Sequence, residues 1–208
     1  MTYRLGLKSW ATGALVLAAV TACANGGSDP TSNPTPTVAS SSPSTPSSSP
    51  TATDPSDAAT TAASATMREY FAVVDALAKD PTTDLKRLGS VATSTQLRAA
   101  QTLLRSQRDQ GRHQTGGTSV AELIVQTVNL DNSDPKAGKV PTVVIDVCWN
   151  VSKVDVLDKS GASIVSPDRP DTGWTRYTVA NYHFADNPTK GWRVATGQDL
   201  KQSPCSAS

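Results

Sequence analysis

Few side chains in this 208-residue chain have types and spacings suited to chemistry. Its two histidines, His113 and His183, have no Cys, Asp or Glu partners at the spacing of metal ligands. The glycines of "QTGGTS", residues 114–119, enter a strand-type segment and not a helix, so they do not form a phosphate-binding loop. A catalytic cysteine would need a basic neighbour to activate it. The sequence therefore predicts no metal site, no cofactor site and no cysteine nucleophile.

The first of three cysteines, Cys23, follows a short apolar segment. Arg4 and Lys8 precede residues 10–22, "WATGALVLAAVTA", which are too few for a spanning helix of roughly 20 residues and have the pattern of a signal peptide. The ending "VTAC" resembles the lipobox of bacterial lipoproteins, where small residues admit the peptidase and the thiol accepts diacylglycerol. We expect residues 1–22 to be removed and the lipid on Cys23 to hold the protein on the outer face of the cytoplasmic membrane. An ordinary signal peptide and an N-terminal anchor helix are the alternatives.

The lipidation site opens a segment of low complexity, residues 23–63, that consists mainly of Ser, Thr, Pro, Ala, Gly and Asp. It has no apolar periodicity, so it has no face to bury and cannot recover the entropy lost on ordering. We predict a disordered tether, of a composition that can carry O-linked sugars. Residues 64–208 have an ordinary globular content and are predicted to form one domain.

Cys148 and Cys205 lie within that predicted domain. In an oxidising exterior, two cysteines of a small domain usually pair, so we predict a structural disulfide between them. The two cysteines are 57 positions apart. Closing a loop of that length would make the disulfide worth about 4 kcal/mol in the chain-entropy model. A buried free thiol and a reactive thiol are the alternatives.

Three helical segments are predicted at the start of the domain. The first has an apolar stripe at helical spacing, formed by Met67, Tyr70, Phe71, Val74, Leu77 and Ala78. Pro81 ends it, because proline disfavours helix in the residue before it. A short helix near residues 84–92 and a third helix follow, the third with Ser94 as its cap and Gly111 as its stop.

The apolar period then changes to that of strands. Strand-type segments cover residues 120–130, 140–151 and 174–184, and residues 192–196 begin a last strand. Residues 154–157 extend the second segment or pair with it. In the second segment Val143, Ile145 and Val147 share one face, and Asp146 and Cys148 share the other. Helices followed by strands joined through turns predict an α+β fold, with N-terminal helices packed on an antiparallel sheet.

The order and lengths of these elements resemble the nuclear transport factor 2-like (cystatin-like α+β) superfamily over residues 65–200. The segments that carry the resemblance are "REYFAVVDAL", "VVIDVCWNVSKVDVLDKSG" and "GWRV". The resemblance implies a curved antiparallel sheet that wraps the first helix into a cone with an internal pocket.

Enzymes of that superfamily use Asp–His or Asp–Tyr pairs inside the cone. The resemblance therefore implies six candidates here, namely Tyr70, Asp75, Asp146, Tyr177, Tyr182 and His183. Asp146 lies opposite the apolar row of its strand and is expected outside the cone, and His183 is expected at the surface of the sheet. Since no catalytic motif of the family is matched, none of these residues is predicted to be catalytic.

Basic residues are spread over the chain, whose formal net charge is only +1. This charge and the lack of a basic, aromatic-rich module argue against nucleic acid as a partner. Arg98, Arg105 and Arg112 share one side of the third helix with Arg108 nearby, and we interpret them as a solvated face. A contact with phospholipid headgroups or anionic wall polymers is the alternative.

These observations predict a surface lipoprotein that is not an enzyme. Its domain would bind a protein of the cell envelope or a small apolar ligand. The alternatives are an isomerase or dehydratase that uses the cone pocket, and a phage- or prophage-encoded envelope protein that blocks superinfection.

Overall fold

The computed structural model describes residues 54–202 and Cys205. The predicted signal peptide, Cys23 and the greater part of the predicted tether lie outside these residues. The elements in chain order are α1 (Pro55–Lys79), a 3-10 helix (Leu85–Ser90), α2 (Ser94–Asp109), β1 (His113–Thr115), β2 (Ser119–Asn129), a second 3-10 helix (Pro135–Ala137), β3 (Thr142–Asn150), β4 (Asp155–Leu157), β5 (Thr172–Asn181) and β6 (Trp192–Leu200). The described residues belong to one compact unit, Ser49–Ser208.

Helix α1 begins earlier than the predicted domain boundary at residue 64. Asp54 caps it by accepting a hydrogen bond from the Ser56 amide at 2.7 Å, and Pro55 occupies the first turn. Ala59 and Ala63 are buried and continue the apolar stripe towards the N-terminus. The prediction that the linker reaches residue 63 is therefore wrong from Pro55 onward. The alanines of this segment form an apolar helix face, which cannot be recognised in a segment of low complexity.

The C-terminal end of α1 agrees with the prediction from Pro81, since the helix stops at Lys79. Arg108 of α2 stabilises this end by donating hydrogen bonds to the carbonyl oxygens of Leu77 and Asp80, at 3.1 and 3.4 Å. The arginine that sequence analysis placed near the solvated face thus joins the two helices.

The predicted limits of α2 are half right. Gly111 lies just beyond its end with φ of +66°, as expected for a stop. At the start, Thr93 holds the cap position and its side chain makes no capping hydrogen bond, so the predicted cap at Ser94 is wrong. Ser94 adopts φ of +49°, and its hydroxyl lies 3.4 Å from that of Tyr182.

The main sheet is fully antiparallel, with strand order β2–β3–β5–β6. Residues 155–157 neither extend β3 nor pair with it; they form a separate two-stranded sheet with β1, a strand that was not predicted. Strand β5 ends at Asn181, before the predicted residue 184, and β6 begins at Trp192, as predicted, and continues to Leu200. Bulges interrupt the β2–β3 and β5–β6 ladders and bend those strands.

The core lies between the helices and the inner face of this sheet. Helix α1 contacts all four strands, and α2 packs against β6. The fully buried side chains include Met67, Leu77, Leu88, Leu104, Val143, Ile145, Val147, Val179, Trp192 and Val194. The predicted α+β class, with helices on one face of a curved antiparallel sheet, is confirmed.

The outer face of the sheet carries buried polar groups on β3. Asp146 faces Arg176 across the β3–β5 ladder, and the guanidinium donates to both carboxylate oxygens at 2.6 and 2.7 Å. Two positions further along β3, Cys148 is fully buried and lies at disulfide distance from Cys205, with 6.0 Å between the Cα atoms. Cys205 thus lies beside a central strand of the sheet.

Within the part of the chain that the structure describes, no helix has both the length and the apolar character to cross a bilayer.

The juxtaposition of Cys148 and Cys205 predicts a measurable stabilisation. The two residues are 57 positions apart, so the C205S variant should lose up to about 4 kcal/mol of unfolding free energy. Urea denaturation measures this loss, and reduced wild type is the matched control because it should be as stable as C205S. Unlinked peptides in a non-reducing map of the protein purified from its native envelope would contradict the pairing.

Candidate ligand pocket

An open pocket of about 470 Å³ lies between α1 and the inner face of the sheet. The helix contributes one wall, strands β3, β5 and β6 contribute the opposite wall, and the segments before β2 and β5 contribute the rim. Its lining residues are Tyr70, Phe71, Val74, Asp75, Gln114, Thr118, Trp149, Val151, Arg169, Pro170, Thr175, Tyr177 and Asp199. This lining combines a cluster of aromatic rings with a few polar groups.

Three of the rings pack against one another. The centroids of Tyr70 and Phe71 are 5.6 Å apart, those of Phe71 and Tyr177 are 6.0 Å apart, and both pairs meet edge to face. Tyr70 and Tyr177 lie 6.1 Å apart in a tilted arrangement. Pairs of this geometry are favourable beyond their buried area, so the rings hold a defined wall.

Two glycines make room for this aromatic wall. Gly173 faces Trp149 across the β3–β5 ladder, and a Cβ atom there would overlap the indole ring. Gly197 on β6 faces Tyr177, and a Cβ atom would come within 2.9 Å of both that ring and the Gln96 side chain. The indole and the phenol can therefore lie flat over the strands beside them.

A chain of hydrogen bonds runs along the floor of the pocket. The Trp149 indole donates to the Thr175 hydroxyl at 3.1 Å, and that hydroxyl donates to Asp199 Oδ1 at 2.9 Å. Since an indole N–H can only donate, the threonine proton must point at the carboxylate. The chain thereby orients Asp199, which is exposed at the mouth of the pocket.

Both pocket tyrosines keep their protons more tightly than a free tyrosine does. Burial raises the pKa of Tyr177, and the nearby Tyr70 and Asp199 raise it further, while a hydrogen bond with Thr175 opposes them. Burial also raises the pKa of Tyr70, although the hydrogen bond from Gln96 lowers it in part. Gln96 Nε2 donates to the Tyr70 hydroxyl at 2.6 Å, which leaves the phenolic proton free to donate. Both phenols are consequently neutral at physiological pH.

Asp75 lies in the pocket wall but is fully engaged by the protein. Its Oδ1 accepts hydrogen bonds from Gln114 Nε2 at 2.8 Å and from the Thr118 hydroxyl at 3.0 Å, and its Oδ2 accepts from the Thr118 amide at 2.6 Å. The backbone of Gly117 lies close to the same carboxylate, since a Cβ atom at this position would be only 3.2 Å from Oδ2. Asp75 therefore fastens α1 to β1 and to the turn between β1 and β2.

The structure separates the other sequence candidates from the pocket. Asp146 lies on the outer face of the sheet, as predicted, where Arg176 neutralises it. Tyr182 and His183 are exposed in the turn that follows β5, so the expected place of both residues on a strand is wrong. The Arg98 and Arg105 side chains are exposed on α2, which agrees with a solvated face.

Sequence analysis missed Asp199 because of a bulge. Strict alternation from the buried Trp192 and Val194 would place Asp199 on the outer face. The register shift at Thr178/Val179 of the β5–β6 ladder instead pairs Tyr177 with Gly197 and Thr175 with Asp199 on the inner face. The polar run after residue 196 also concealed the continuation of the strand, so no local signal in the sequence places this carboxylate in the pocket.

Among residues 54–202 and Cys205, no three His, Cys, Asp or Glu side chains are arranged to hold a metal ion.

Comparisons with known proteins identify no family. No protein-family model matches the chain, and no curated protein matches it. Among solved structures, the chain is similar to the intermembrane space region of the chloroplast protein ARC6, with 17% sequence identity and a TM-score of 0.46. The match covers 68% of this chain and 95% of that region. At this level the likeness carries no argument about function.

The contacts of Asp75 predict a structural role that removal of its carboxylate reveals. A D75A variant would leave the Thr118 amide and the Gln114 and Thr118 side chains without their acceptor. We expect D75A to lower the free energy of unfolding by about 2 kcal/mol, measured by urea denaturation. E69A is the matched control, because Glu69 is exposed on the same helix. A D75A protein as stable as wild type would refute the fastening role.

Proposed function

We propose that this chain is a lipid-anchored protein of the bacterial cell envelope whose domain binds a small, partly apolar ligand without transforming it. The observation that carries the proposal is the open aromatic pocket of about 470 Å³ between α1 and the sheet. Pockets of this size with aromatic walls and a few oriented polar groups are the usual form of small-molecule sites. The preordered rings reduce the entropy that a ligand would have to offset on binding.

The carboxylates of the pocket support binding over catalysis. A general base needs a free oxygen in reach of the substrate and shielded from water. Both oxygens of Asp75 accept hydrogen bonds from the protein, and Asp199 is exposed to solvent. The neutral phenols of Tyr70 and Tyr177 are better suited to donating hydrogen bonds than to removing protons. An isomerase or dehydratase is accordingly the less favoured alternative.

The location proposed for the domain rests on the "VTAC" motif at Cys23. The first described element begins at Pro55, so a segment of about thirty residues would connect the lipid to the helix. Such a tether would let the pocket work at a distance from the membrane surface.

Lipid anchoring can be tested on the protein isolated from its native membrane. Mass spectrometry should identify Cys23 as the N-terminal residue with a diacylglycerol group. The C23A variant should leave the membrane fraction, because the attachment site is gone, while C148A in the folded domain should stay there. An intact Met1, or a C23A protein that stays bound to membranes, would refute the anchor.

Ligand binding by the pocket can be tested with a neutral apolar dye, N-phenyl-1-naphthylamine. We expect its emission to rise on addition of residues 24–208, which contain the whole described domain without the lipid site. The V74F substitution adds a ring within the pocket and should weaken dye binding about tenfold or more. A65F adds the same ring at an exposed position of the same helix and should bind as wild type does. If V74F binds the dye as tightly as wild type does, and circular dichroism shows that V74F and A65F are folded, the pocket is excluded as the dye-binding site.

A further inference from the structure

The charged side chains that line the pocket differ in how far the protein itself already binds them. Its lining contains two carboxylates, Asp75 and Asp199, and one guanidinium, Arg169. Arg169 Nη2 donates to the carbonyl oxygens of Val151 and Val154 at 2.8 and 2.9 Å, and its Nε is buried without a hydrogen-bond partner. The turn between β3 and β4 thus holds the one cation of the lining in place, and the two carboxylates outnumber it, so the charge of the lining disfavours an anionic ligand.

Asp199 is the available charge. Its Oδ1 accepts the hydrogen bond of Thr175, and no ion pair within residues 54–202 involves this carboxylate. Because Trp149 fixes the direction of the Thr175 hydroxyl, the carboxylate is held in place before a ligand arrives. A positioned, unpaired carboxylate at the mouth of a pocket favours a positively charged group there.

The aromatic walls favour the same charge. The faces of Trp, Tyr and Phe rings carry partial negative charge, and Trp attracts cations most strongly. Trp149, Tyr70, Phe71 and Tyr177 all line the pocket. The raised pKa values of the two tyrosines keep their rings neutral, so the apolar body of a ligand can pack on them.

We propose that the ligand of this pocket is an organic cation, an alkyl- or arylammonium whose charged nitrogen is held by Asp199 and the Trp149 ring and whose apolar body packs against Tyr70, Phe71 and Tyr177. The inference rests on the proposed binding function and specifies the class of its ligand. It assigns Asp199 to charge recognition, and it assigns Thr175 and Trp149 to the positioning of that carboxylate.

A series of three probes with the same phenyl ring and nearly the same size separates charge recognition from general apolar binding. The probes are 4-phenylbutylammonium, 4-phenylbutanol and 4-phenylbutyrate, measured at pH 7.4 by calorimetry with residues 24–208. We expect the ammonium to bind at least tenfold more tightly than the alcohol, and the carboxylate to bind most weakly. High salt should reduce the preference for the ammonium, because Asp199 is exposed and its charge is screened.

Two variants assign the preference to Asp199. D199N keeps an oxygen that can accept the Thr175 hydroxyl, so it should lose the preference for the ammonium while its affinity for the alcohol stays within about twofold. D186N removes a charge from the exposed turn after β5 and should retain the preference. Retention of the preference by D199N would overturn the role of this carboxylate.

The outcomes also separate this inference from the proposed function. Equal affinity for the alcohol and the ammonium would refute the cation class and leave pocket binding intact. Binding of none of the three probes, together with failure of the dye to bind, would refute both.

Discussion

The packing of α1 on a bent sheet is the constraint on which the other features depend. The helix has one apolar stripe from Ala59 to Leu77, and the inner faces of four strands must come close enough to bury it. A flat sheet cannot contact one helix with four strands, so bulges in the β2–β3 and β5–β6 ladders bend the outer pairs. The same bending determines which residues of β6 face the helix. The pocket lies on this inner face, between the rings of Tyr70 and Phe71 on the helix and those of Trp149 and Tyr177 on the sheet.

The side chains of strand β3 alternate between two faces, and the two faces stabilise the fold in different ways. Val143, Ile145 and Val147 bury their side chains under the helix. On the other face, Asp146 is buried but Arg176 is about half exposed, so their ion pair is screened by water and contributes little net stability. Its importance lies in the cost of an unpaired buried carboxylate, which would far exceed the gain from the pair. Cys148 lies on this same face at disulfide distance from Cys205.

Strong periodic patterns could be recognised in the sequence, whereas features set by backbone irregularity could not. The stripe from Met67 to Ala78 and the alternation of β3 predicted real elements because each repeats over several turns or residue pairs. Strands β1 and β4 have three residues each, which is too short for a period, and they exist only because they pair with each other. The N-terminal extension of α1 could not be recognised in the sequence, because alanine is common both in low-complexity segments and on helix faces. Asp199 was concealed by a single extra residue in β6, since one bulge moves every later side chain to the opposite face.

Two aspartates of the same pocket illustrate why position, and not residue type, decides what a carboxylate can do. Asp75 accepts three hydrogen bonds from neighbouring donors, so a ligand would have to break these bonds before it could use either oxygen. Asp199 accepts one, from a hydroxyl whose direction is set by an indole that cannot accept. The first arrangement satisfies the charge within the fold, and the second holds the charge in place while leaving it open to solvent. A cation entering beside the aromatic rings would gain the attraction of Asp199 at no cost to the packing of α1, because the contacts that hold the helix are made by Asp75 and the core. The proposed recognition of charge and the fastening of α1 thus fall to two different aspartates of one pocket, while Tyr70, Phe71 and Tyr177 belong both to the pocket wall and to the core.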